Sequence, residues 1–201
     1  YIDCVNNTIE SYTAATLNNN DYWGTIYAPT LDRVYFLPYT RTNQSTWHYI
    51  DCTDGSFQSY AHGAGALVGC YYAGAVYHEL LDRIYLVPFN GSSSATWHYI
   101  DGATGSVESY AHGLGAITAQ MSIGGVYHDT LDRVYFSPNS ISDEATWYYI
   151  DSGGTARSYA HGVGSLVDAG YRDGTWHAGL ERAYFAPYEI ADQTTWHYID
   201  S

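Results

Sequence analysis

The hexapeptide Thr-Trp-His-Tyr-Ile-Asp occupies residues 46–51, returns at 96–101 and 195–200, and stands at 146–151 with Tyr148 in place of the histidine. A period near 50 residues constrains the fold more than any local propensity does. Each copy must adopt the same structure and bury the same faces against its neighbours. A second phrase keeps the same beat: Leu-Asp-Arg-Val-Tyr-Phe begins at Leu31 and recurs, slightly varied, from Leu81, Leu131 and Leu180. Each occurrence is followed one residue later by proline, at Pro38, Pro88, Pro138 and Pro187. A third phrase, Ser-Tyr-Ala-His-Gly, starts at Ser59, Ser109 and Ser158, and its first copy is degenerate, from Ser11 onward.

Within one copy, four short runs rich in Tyr, Val, Ile, Trp and Phe are separated by clusters of Gly, Asp, Asn, Ser and Pro, which is the pattern of strands and turns. In the second copy these runs are residues 75–78, 83–87, 96–101 and 106–111, here called strands A to D. The short A–B and C–D connections predict antiparallel hairpins. No window carries a sustained helical stripe, so the class is all-β. In strand C, Trp97 and Tyr99 point one way while His98 and Ile100 point the other, giving a sheet with two apolar faces.

Such a sheet needs a neighbour on each side, a condition met when modules are arranged as blades around an axis. The expectation is a four-bladed β-propeller of four-stranded antiparallel modules, a single domain over residues 1–201. Its repeats run over about 22–72, 73–122, 123–172, and 173–201 together with 1–21. The chain opens on a C-like run at Tyr1-Ile2-Asp3 and a D-like run near Thr8. This N-terminal strand is expected to complete the last blade and remove an exposed edge. The alternative is that it pairs with another molecule, building a fibre or a larger ring.

The succession Gly-Gly-Val-Tyr-His at 124–128, the Leu131 phrase, Ile100-Asp101 and Thr104-Gly105 resembles the YVTN repeats of surface-layer-type β-propellers. It is also similar to propeller repeats in phage and giant-virus proteins. The resemblance covers the whole chain and implies architecture rather than a ligand. These copies are about ten residues longer than the usual repeat of that family, and four is fewer than its customary blade number.

The chain holds 23 Tyr, 6 Trp and 20 Gly, with seven Arg, no Lys and a formal net charge of −14. Such a surface repels polyanions, which excludes nucleic acid and disfavours anionic membranes as partners. No stretch is apolar enough for a membrane-spanning helix, and no basic-then-apolar leader opens the chain. Sequons at Asn6, Asn43 and Asn90 point to glycosylation of a secreted chain. Cys4, Cys52 and Cys70 form neither a disulfide framework nor a zinc motif, and free thiols are expected.

His78, His128 and His177 close strand A at matching positions, where radial symmetry would bring them near an axis to hold a metal ion in a central channel. The alternative for them is a turn role beside the following Leu-Asp-Arg phrase. His62, His112 and His161 end strand D, where they anchor loops or line separate ligand pockets. The repeated Trp47, Trp97, Trp147 and Trp196 either stack on sugars or fill the wedges between modules. The repeated Asp51, Asp101, Asp151 and Asp200 and the Asp32-Arg33 pairs read as turn-formers.

No calcium loop, nucleophile elbow, phosphate-cradling loop or His-Glu-x-x-His pair is present. The expected function is a non-enzymatic structural or assembly module on an extracellular surface, whose partners are other copies or neighbouring surface proteins. A carbohydrate-binding propeller and a metal-dependent enzyme using the axial histidines are the alternatives.

Overall fold

The computed structural model describes residues 2–3, 6, 8–9, 11, 22–39, 45–64, 72–89, 95–115, 122–139, 146–162, 170–188 and 196–201. A short hairpin, β1 (Ile2–Asp3) and β2 (Thr8–Ile9), precedes the repeated sheets. The first module holds β3 (Tyr22–Ala28), β4 (Arg33–Pro38), β5 (Thr46–Asp51) and β6 (Ser56–Ala61). The second holds β7 (Tyr72–His78), β8 (Arg83–Pro88), β9 (Thr96–Asp101) and β10 (Val107–Ala111). The third holds β11 (Ser122–His128), β12 (Arg133–Pro138), β13 (Thr146–Ile150) and β14 (Ala156–Ala160). The fourth holds β15 (Tyr171–His177), β16 (Arg182–Pro187) and β17 (Tyr198–Asp200). All pairings are antiparallel between consecutive strands, and the described residues contain no helix.

The turns explain why the repeated phrases are where they are. Between strands A and B, Asp32, Asp82, Asp132 and Glu181 adopt φ of 50°, 47°, 54° and 51°. Asp tolerates this left-handed region better than most residues, and here its carboxylate accepts a hydrogen bond from a strand A tyrosine. The donors are Tyr27 and Tyr77, each at 2.9 Å, and Tyr127 to Asp132. Between C and D, the carboxylates of Asp51, Asp101 and Asp151 accept backbone N–H groups of the turn that follows.

Neighbouring modules meet through their A and B strands: β3 lies beside β7, β7 beside β11, and β11 beside β15. The sheets therefore fan outward from a row of A strands. The core is divided among the junctions. Tyr35, Leu37 and Trp47 of the first module pack on Tyr72, Ile84, Leu86 and Ile100 of the second. Tyr85, Val87 and Trp97 meet Val134, Phe136 and Ile150, and Tyr135 and Trp147 meet Tyr171, Ala183 and Phe185. Each module thus has a back face that carries the tryptophan and a front face that receives it.

The expectation of a four-strand sheet in every copy holds for three modules, while the fourth sheet has three strands among the described residues. Among the described residues the N-terminal strand does not complete that last sheet: β2 pairs with β1, Ile2 opposite Ile9 and Asp3 opposite Thr8. That register repeats Ile100 opposite Val107 in β9–β10, so the hairpin keeps the C–D geometry on its own. Among the described residues, Tyr22, Val34, Phe36 and Ile50 of the first module are half-buried, and Trp196 and Tyr198 of the last are exposed.

Candidate functional site

Five sets of chemically capable side chains recur, and packing occupies most of them. Arg33, Arg83, Arg133 and Arg182 lie over the rings of Tyr49, Tyr99, Tyr149 and Tyr198, at 4.4, 4.5, 4.8 and 4.4 Å from the centroids. These cation–π contacts keep the guanidinium on the sheet, and Arg133 Nη1 also donates to the Tyr135 hydroxyl at 3.1 Å. On each back face of the first three modules three tyrosines form a triangle, such as Tyr85, Tyr99 and Tyr110, with ring centroids 5.6 to 5.9 Å apart. Burial pushes the Tyr110 phenol well up, so it stays neutral.

The strand C histidines have a partner that sequence reasoning missed. The Tyr22, Tyr72 and Tyr171 hydroxyls are hydrogen-bonded to Nδ1 of His48, His98 and His197. In the third module both members change together, to Ser122 and Tyr148, and Ser122 Oγ bonds instead to the carbonyls of Gly124 and Ser137. That paired change is legible by comparing copies. Burial, followed by the nearby His62, pushes the His98 imidazole down to about 4.

His62, His112 and His161 each lie on a strand C tryptophan: on Trp47 at 4.8 Å, on Trp97 at 4.5 Å and on Trp147 at 4.9 Å between ring centroids. Nδ1 of His62 and of His112 accepts the backbone N–H two residues on, at 3.3 and 3.1 Å. These histidines thus cover the junction tryptophans at the end of strand D. The tryptophans themselves are core in the first three modules.

His78, His128 and His177 do not converge. His78 lies against Tyr127 of the next module at 5.0 Å, and His128 against Trp176 at 4.1 Å, so an aromatic ring of the following module covers each in turn. Nδ1 of His128 and of His177 accepts the N–H of Leu131 and Leu180, at 3.3 and 3.2 Å. Among the described residues no three His, Cys, Asp or Glu side chains gather as a metal ion would require. The shared metal site expected from radial symmetry is thus not assembled among the described residues, where aromatic rings of the following module lie against His78 and His128.

Asn6 is exposed, whereas Asn43 and Asn90 lie outside the described residues, as do Cys4 and Cys70. Cys52 is an exposed free thiol. A cleft of about 290 Å³ lies along the A strands, with Trp23, Ala73, Ile123, Arg172 and Asp173 in its lining. Trp23 is half exposed and packs on Tyr39 at 4.4 Å. The Arg172 guanidinium lies 3.3 Å over the Tyr188 ring.

No family model matches the chain, and no curated protein sequence matches it, so the YVTN likeness rests on the quoted phrases alone. Solved structures do resemble it in fold. Sqt1 from Saccharomyces cerevisiae superposes with a TM-score of 0.58 at 9% identity, over 92% of this chain and 49% of that one. U3-55K gives 0.53 at 8% identity, over 86% of this chain and 47% of that one. An auxiliary nutrient binding protein from Bacteroides ovatus gives 0.57 at 15% identity, over 82% and 36%. The chain thus spans from about a third to about half the length of these neighbours, and the likeness is one of β-rich, repeat-like architecture.

Proposed function

We propose that this chain is a non-enzymatic structural or assembly part, an arc of β-propeller-type blades that works on an extracellular surface such as a virion, filament or cell envelope. One observation carries this reading. The side chains a site would draw on are engaged in repeated packing: Arg on Tyr, His under Tyr, His on Trp. Among the described residues, the large apolar side chains left open include Trp23 in the cleft, Leu80 and Leu180 in A–B turns, and Tyr27, Trp196 and Tyr198. A surface with net charge −14 and no Lys is suited to staying soluble while such apolar side chains dock selectively.

The test is a pair of binding measurements on the purified chain: a glycan array and a metal analysis, with neither retained saccharide nor transition metal as the expected result. Saccharide binding that disappears in Trp23→Ala would replace this reading with the second one. That second reading is a carbohydrate-binding module. It is favoured by the half-exposed Trp23 ring beside Asp173 and Arg172 in the axial cleft, an aromatic platform next to polar groups.

A further inference from the structure

The repeat holds one backbone feature constant and varies the side chain placed on it. Each A strand carries a register shift near its start, at Tyr22/Gly24, Tyr72/Gly74, Ser122/Gly125 and Tyr171/Asp173. A β-bulge of this kind leaves an extra residue outside the ladder and re-aims its side chain, which is why bulges gather beside binding sites. The residues within these shifts include Trp23, Ala73, Ile123 and Arg172, four different chemistries at one position of the repeat, and all four line the same cleft of about 290 Å³. By contrast, the strand B arginines and the strand C tyrosines under them keep their identity from copy to copy and are engaged in packing.

The two ends of the cleft are chemically unlike. At one, the Trp23 ring is 46% exposed yet held in place, 4.4 Å from the Tyr39 ring and stacked at 6.2 Å on Phe89. At the other, the Arg172 guanidinium is braced over the Tyr188 ring, and its Nε is buried with no hydrogen-bond partner. Beside it Asp173 replaces the glycine that stands at 24, 74 and 124, and its Oδ1 accepts the N–H groups of Gly174 at 2.8 Å and Gly125 at 3.4 Å. Although adjacent, Arg172 and Asp173 form no ion pair with each other or with another described residue. Between the ends the lining is largely backbone, because a Cβ on Gly74 or Gly124 would meet the carbonyl oxygen of Ile123 or Arg172 at 2.5 Å.

We propose that this cleft binds a free aromatic α-amino acid, with its ring on Trp23, its carboxylate on Arg172 and its ammonium on Asp173. A zwitterion presents two opposite charges on one carbon, and an Arg and an Asp that stand side by side without pairing are its complement. The Ala73 and Ile123 side chains between them suit an apolar ring better than a sugar, whose several hydroxyls each need a partner once they leave water. A net charge of −14 repels simple anions but not a ligand whose own charges cancel. The cleft is at the small end of ligand pockets, in keeping with one ring and a short polar tail. This binding function goes beyond the structural role and does not depend on it.

The experiment is calorimetric titration of the purified chain with L-phenylalanine and with its two halves, 3-phenylpropionate, which lacks the ammonium, and phenethylamine, which lacks the carboxylate. L-phenylalanine should bind about tenfold or more tightly than either half. Arg172→Gln should weaken L-phenylalanine by about tenfold and leave phenethylamine unchanged, whereas Asp173→Asn should weaken it by about as much and leave 3-phenylpropionate unchanged. Trp23→Ala should weaken all three. These side chains are partly or largely solvent-exposed, and native circular dichroism of each variant separates a lost ligand contact from a lost fold. A folded wild-type chain that does not bind L-phenylalanine, a half that binds as tightly as the whole, or charge variants that leave its affinity unchanged would each overturn the proposal. Binding of methyl β-glucoside in place of the amino acid would overturn it in favour of the carbohydrate reading. The structural reading stands apart from amino-acid binding, and falls only if the glycan array or metal analysis is positive.

Discussion

Replacing Trp97 by alanine removes a ring that is 4% exposed, stacked on His112 at 4.5 Å and set edge-on to Phe136 of the next module at 5.6 Å. Tryptophan-to-alanine changes in cores cost about 3–5 kcal/mol, and the two aromatic contacts put this position toward the upper part of that range. In a repeat array stability is a sum of module and junction contributions, so a loss of that size at one junction makes it the weakest link. The expected result is an unfolding curve that shifts to lower denaturant and splits, with the first two modules parting from the last two. Trp196→Ala removes the same ring in the same sequence phrase, but from a position 68% exposed, and it should change stability by no more than about 0.5 kcal/mol. Urea titrations of both variants, followed by far-ultraviolet circular dichroism, compare the two directly. Equal costs at the two positions would refute the reasoning that the junction, and not the module, is the unit of burial.

Three further outcomes follow from the same geometry. Tyr72→Phe deletes the hydroxyl that partners buried His98 and should cost about 1–3 kcal/mol, and the double change Tyr72→Ser with His98→Tyr, which copies the third module, should recover part of it in the same titration. Burial holds the folded His98 pKa at about 4, below the unfolded value of roughly 6.5. The unfolded chain therefore binds more protons in that window: stability is whole above about pH 6.5, declines as pH falls toward 4, and His98→Gln should flatten the denaturant midpoint across that window. Gly105→Ala and Gly55→Ala share the left-handed strain of φ near +75°, yet only the first drives a Cβ into the neighbouring module, so in the urea titration it should lose more stability, by an excess of about 1–3 kcal/mol.

Strand order, hairpin connection and the opposed faces of strand C were legible in one copy, since alternation and turn residues act over a few residues. The use of the repeated histidines was not. Whether His78 meets a metal or a tyrosine depends on how one module is staggered on the next, and no spacing within a copy encodes that offset. The Tyr72–His98 bond joins residues 26 apart, strand A to strand C across β8, and only the joint change to Ser122 and Tyr148 hinted at it.

Sequence by itself determined that this chain is all-β, modular and apolar on both sheet faces, because a period of 50 residues and a period of two are properties of the chain alone. Tertiary structure decided that, among the described residues, β2 stays with β1 rather than β17. It also decided that Trp196 differs from three tryptophans in the same phrase. Identical side chains are told apart only by what covers them, and cover is a relation between modules.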